Sequence, residues 1–97
     1  MTQVDLLRFL LLALERLKLP YAIVGSFASG VWGEPRMTLD IDVVVQLRRE
    51  HAAAIVAAFP RGEFYVSRSA VDDAISRVGQ FNVIHPTSGN KIDFMVI

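Results

Sequence analysis

Asp40 and Asp42 flank Ile41 inside "LDIDVVVQL", residues 39–47, an otherwise apolar run, and Asp93 interrupts a second apolar run, "KIDFMVI", residues 91–97. In an extended chain residues i and i+2 share a face, so Asp40 and Asp42 point the same way with their Cα atoms about 6.6 Å apart. Ionised carboxylates are costly to bury without a partner, and a divalent cation offsets that cost. Hard oxygen ligands of this kind suit magnesium or manganese rather than zinc. Two such ions about 3.5–4 Å apart need a shared acidic ligand set, which three aspartates on adjacent strands supply. The plainer readings are a pair of solvated carboxylates at a strand mouth and a lone aspartate that accepts from backbone N–H groups in a hairpin.

Gly25 and Ser26 stand where the apolar "YAIV" gives way to "SFASGVW", a strand end followed by a helix start. Free backbone N–H groups and the helix dipole face outward together at such a junction and attract an anion. Gly25 lets a phosphate approach the backbone closely, and the Ser26 hydroxyl adds a donor. A good turn and helix cap is the plainer reading of the same pair. Phe27 and Trp32 are placed to stack on a base, though helical spacing favours core packing. His51 and His85 lack spaced ligand partners and read as surface or capping residues.

The elements that must hold these residues follow from the pattern around them. Residues 3–18, "QVDLLRFLLLALERLK", predict a helix with a narrow polar stripe, buried on more than one side and stopped by Pro20. "YAIVG" predicts a short strand, "SFASGVW" a short helix capped by Ser26, and Gly33–Pro35 a loop. "LDIDVVVQL" predicts an interior strand with both faces covered. "RREHAAAIVAAF", residues 48–59, predicts a helix that ends at Pro60 and Gly62. "FYV" is a candidate short strand, and "SAVDDAISRV" predicts a helix capped by Ser69, with Asp72 and Asp73 as dipole-favoured acids of its first turn. "QFNVIH" and "KIDFMVI" form an antiparallel hairpin around "PTSGN". The sum is an α/β layer, a mixed sheet with helices packed on it.

Composition narrows the field of partners. Ten basic residues balance ten acidic ones across 97 residues, so no net field draws the chain to nucleic acid or to an anionic membrane. There is no cysteine, which excludes disulfides and zinc–thiolate sites and suits a cytoplasmic setting. The apolar run from Phe9 to Leu14, bounded by Arg8 and Glu15, is far too short for a membrane span and lacks the flanks of a signal peptide. An apolar content of 53% is high for so small a domain, and Leu7, Leu10, Leu11 and Leu14 suggest self-association or a partner chain.

Gly25-Ser26, then Asp40-Ile41-Asp42 leading an apolar run, then Asp93 in a later strand resembles the nucleotidyltransferase superfamily of the DNA polymerase β type. The likeness covers residues 21–46 and 90–97. "GEPRMTLDID" is similar to a subset with Arg-x-Thr-x-Asp-Ile-Asp, which includes the abortive-infection toxins of the AbiEii type and related uncharacterised bacterial proteins. The resemblance implies a minimal nucleotidyltransferase core over residues 1–97, without the C-terminal helical extension of such proteins. It implies that Gly25 and Ser26 hold a nucleoside triphosphate and that Asp40, Asp42 and Asp93 bind two magnesium ions, with manganese as a substitute. Arg36 and Thr38 fit the subset's pattern, and Arg36 is a candidate phosphate contact or a brace for its loop. The implied reaction transfers a nucleoside monophosphate to a hydroxyl on RNA, protein or a small molecule and releases pyrophosphate. The alternative is a non-catalytic nucleotide- or protein-binding module of the same fold, such as a toxin–antitoxin component.

Overall fold

A computed structural model of the chain describes residues 1–24 and 40–97. Gly25, Ser26, Phe27, Trp32, Arg36 and Thr38, with the helix expected over 26–32 and the loop at Gly33–Pro35, lie outside the described residues. The described elements are α1 (Gln3–Leu17), β1 (Tyr21–Val24), β2 (Ile41–Val45), a 3-10 turn at Arg49–His51 leading into α2 (Ala52–Ala57), α3 (Arg68–Arg77), β3 (Gln80–His85) and β4 (Asn90–Val96). The strands form one mixed sheet in the order β1-β2-β4-β3, and helices pack on it. The α+β class read from the sequence is the observed one.

Helix α1 starts at a capping box: Asp5 N–H donates to Thr2 Oγ1 at 3.1 Å, and Thr2 N–H donates to the Asp5 carboxylate at 2.9 Å. Lys18, in the left-handed region at φ 57°, closes it before Pro20. Leu6, Leu10, Ala13 and Leu14 make one buried stripe, so the expectation of burial on several sides is corrected. Val4 and Leu12 lie four residues either side of Arg8 and share its outward face, where they are 53% and 65% exposed. Leu10 and Leu14 are wholly enclosed within the chain and offer nothing to a second copy. The Tyr21 hydroxyl donates to Glu15 at 2.8 Å and ties the start of β1 to the end of α1.

Inside the sheet, burial alternates along β2 and β4. Ile41, Val43 and Val45 face the core beside Ile92, Phe94 and Val96, with Phe81 and Val83 of β3 completing the layer. Phe94 stacks on Phe81 at 4.7 Å between ring centroids, and Phe9, Phe59 and Phe64 cluster where α1 meets the end of α2. On the other face Asp42, Val44, Asp93 and Met95 are half-buried, and Asn82 and Gln80 are exposed. Among the described residues the helices cover only the Ile41 face of β2. Of the described helical residues Leu6, Leu10, Leu14, Ala52, Ile55, Val71 and Ala74 join the core on the Ile41 side, because an acid at position 42 marks the opposite side as polar.

Four smaller expectations also change. The helix over 48–59 divides into the 3-10 turn and α2, with His51 Nδ1 accepting from Arg48 N–H at 3.0 Å, a capping role. "FYV" reduces to a single bridge between Tyr65 and Ile84. Ser67, not Ser69, caps α3 by accepting from Ala70 N–H, since the helix begins at Arg68; Asp72 and Asp73 then lie past its first turn, paired with Arg68 and Arg77. His85 is buried rather than on the surface, its Nδ1 2.8 Å from Ser88 Oγ in the hairpin turn and its ring edge-on to Phe64. That turn places Gly89 at φ 79°, a conformation that glycine adopts without cost. Among the described residues no helix is long and apolar enough to cross a membrane.

Candidate functional site

The polar face of the sheet carries one row of paired residues: Val24 on β1 opposite Asp42 on β2, Asp42 opposite Asp93 on β4, and Asp93 opposite Asn82 on β3. The central pair is parallel, so the two aspartates sit on neighbouring strands about 4.8 Å apart along the backbone with side chains on one face. Asp42 reaches this position because β2 runs between two hydrogen-bonded neighbours, and Asp93 because β4 does. The core residues Ile41, Val43, Ile92 and Phe94 on either side of them fix which way the carboxylates point.

Asp40 immediately precedes β2 and lies two residues before Asp42. Its carboxylate meets Lys91 Nζ at 3.6 Å, and its charge acts on the Asp93 carboxyl. Burial raises the Asp93 carboxyl above its ordinary value, the charge of Asp40 and the hydrogen bond to it raise it further, and Asp42 adds a smaller push. Lys91 pulls in the opposite direction. The arrangement is a concentration of negative charge that an ammonium partly neutralises.

No protein-family model, curated protein or solved structure matches the chain.

The chemistry of the donor set fits a hard divalent cation: three aspartates, oxygen only, on one face and in mutual repulsion. Among the described residues no three or more His, Cys, Asp or Glu side chains are grouped closely enough to hold a metal ion as they stand. Like-charged carboxylates adopt no such grouping on their own, because closing it without a cation adds repulsion. The structure pairs Asp42 with Asp93 in register and sets Asp40 beside Lys91, whereas Gly25, Ser26, Arg36 and Thr38 lie outside the described residues.

Three residues of this face were not singled out from the sequence. Lys91 is two residues before Asp93, the same spacing that pairs Asp40 with Asp42, and that period was the available signal. Asn82 and Gln80 are legible only from the hairpin register; with Asp93, Phe81 and Ala70 they line a groove of about 350 Å³ at the edge of the sheet. A larger hollow of about 480 Å³ lies elsewhere, between the end of α2 and the start of α3, lined by Phe59, Pro60, Phe64 and Tyr65 among others, with no carboxylate in its wall.

Proposed function

We propose that the chain is a magnesium-dependent nucleotidyltransferase of the cytoplasm, which moves a nucleoside monophosphate from a nucleoside triphosphate to a hydroxyl acceptor. The observation that carries this reading is the register of Asp42 with Asp93 on the central parallel pair, with Asp40 just before β2 and its charge acting on Asp93. Asp40, Asp42 and Asp93 would hold the metal ions, which when bound neutralise charge on the triphosphate and on the acceptor oxygen. A new bond forms between the acceptor oxygen and the α-phosphorus, the bond to pyrophosphate breaks, and the hydroxyl proton passes to a carboxylate. Asp93 is the residue suited to orient that hydroxyl and receive its proton, since it borders the groove that Asn82 and Gln80 line. Strands packed on a hydrophobic layer hold the carboxylates with little freedom, which favours chemistry that depends on positioning.

Calorimetric titration of each of the four common nucleoside triphosphates, with and without magnesium, tests this reading. The expected outcome is tight binding of at least one triphosphate only when magnesium is present. Absence of binding at millimolar triphosphate and magnesium would remove the assignment and leave the fold alone. A non-catalytic binding module of the same fold is the second reading, favoured by the exposure of Val4, Leu12 and Ile97. It predicts metal-dependent binding without release of pyrophosphate.

A further inference from the structure

Lys91 belongs to β4, two residues before Asp93, so both side chains leave the strand on the polar face. Its Nζ lies 3.6 Å from Asp40 Oδ2, and its charge acts on the Asp93 carboxyl as well. The side chains of Lys91 and Asp40 are 41% and 31% exposed, so the pair stands on the solvent-facing side of the cluster. A flexible four-carbon stem lets it leave without moving the backbone. An isolated pair this exposed contributes little to stability. Here, however, the ammonium faces several carboxylates whose mutual repulsion a cation relieves.

We infer that Lys91 is a tethered counter-ion that a divalent cation must displace, so that the carboxylate site loads by exchange of an ammonium for a metal ion. This inference rests on the reading of Asp40, Asp42 and Asp93 as metal ligands. The exchange has two consequences. The metal-free cluster is held together at the cost of metal affinity, because an incoming ion meets a positive charge already in place. Occupancy then responds to divalent ion concentration over a higher range than three bare carboxylates would set, and the ammonium that leaves becomes free to face an anion arriving with the metal.

The experiment uses manganese alone, with no nucleotide, titrated into the wild-type chain, Lys91→Met and Lys91→Arg at neutral pH, with free Mn²⁺ followed by electron paramagnetic resonance. Lys91→Met keeps the length of the stem and removes the charge, and Lys91→Gln takes its place if circular dichroism shows that the methionine variant is not folded. The uncharged variant is expected to bind manganese roughly five- to tenfold more tightly than wild type, and Lys91→Arg to stay within about twofold. Thermal unfolding gives a second reading: without metal the uncharged variant melts below wild type, and it gains more on addition of manganese. Equal or weaker binding by a folded uncharged variant would overturn the displacement while leaving the metal site intact. No manganese binding by wild type or any variant would overturn the metal site itself, and the displacement with it.

Discussion

Asp42 and Asp93 face one another across the parallel ladder of β2 and β4, each backed by core residues on the same two strands. Neither can turn away from the other without a break in the register that buries Ile41, Val43, Ile92 and Phe94. Charge in this row is therefore imposed by the packing beneath it, and the predictions below begin there.

Asp42→Asn keeps the shape of the side chain and removes its charge. The expected outcome is loss of the magnesium-dependent part of triphosphate binding, by at least tenfold, with the unfolding midpoint of the metal-free chain unchanged or higher because a repulsion has been relieved. Calorimetry with and without magnesium measures the first, and urea unfolding the second. Magnesium-dependent binding equal to wild type would retire Asp42 as a ligand.

The Asp93 carboxyl gives stability a definite dependence on pH. It holds its proton more tightly in the folded chain than in the unfolded one, so the folded state binds more protons from the ordinary value of 3.8 up to the raised one. Its contribution is most favourable in acid and declines as pH rises through that window. Asp5 acts in the opposite sense: the Thr2 backbone amide, then the Thr2 hydroxyl, lower its carboxyl, so its support for α1 is present above the ordinary value and is lost as pH falls through the lowered one. Asp93→Asn removes the first effect and leaves the second. Urea midpoints taken stepwise from about pH 4 to pH 7 should show the variant gaining on wild type as pH rises, and parallel curves would count against the carboxyl cluster.

Phe94 is completely buried, stacked on Phe81 and edge-on to Phe59. Phe94→Ala should cost about 3–5 kcal/mol in urea unfolding. A cost below about 1 kcal/mol would mean that the layer beneath the carboxylates is not packed as described.

Val78 follows α3 in the left-handed region at φ 54°, with its side chain 64% exposed. A β-branched residue is strained there, and its side chain recovers little by packing. Val78→Gly should raise stability by about 1 kcal/mol and Val78→Asn by less, both without effect on manganese binding. A fall in the unfolding midpoint of the glycine variant would show that the backbone is not strained at this position.

The elements were legible where a single period dominated. The alternation in "QFNVIH" and "KIDFMVI" and the turn residues between them gave the hairpin to within a residue, and "LDIDVVVQL" gave the central strand. Where several local solutions had nearly equal energy, the sequence did not choose. Ser67 and Ser69 are both good caps, and the fold takes the one that lets Arg68 start α3 and pair with Asp72. His85 looked like a surface residue because nothing local shows that Phe64 will close over it. The carboxylates were legible because acids in apolar strands are costly and therefore conspicuous. Lys91 was not, because a lysine at a strand start is ordinary until Asp40 is seen beside it.

The β2–β4 pair also dictates when the carboxylate row can exist. Antiparallel neighbours such as β3 and β4 meet through a tight turn, but β2 must wait for β4 while α2, α3 and β3 are made between them. Closing so long a loop costs entropy before any contact repays it, and such pairings form late. On the ribosome Asp40 and Asp42 emerge well ahead of Asp93, with β2 lacking the partner strand on its β4 side. During that interval the β4 side of β2, with two carboxylates on one face and three aliphatic side chains on the other, is an edge open to wrong partners. The charge that serves the finished row then also serves the unfinished chain, keeping one face of that open edge wet until its partner arrives.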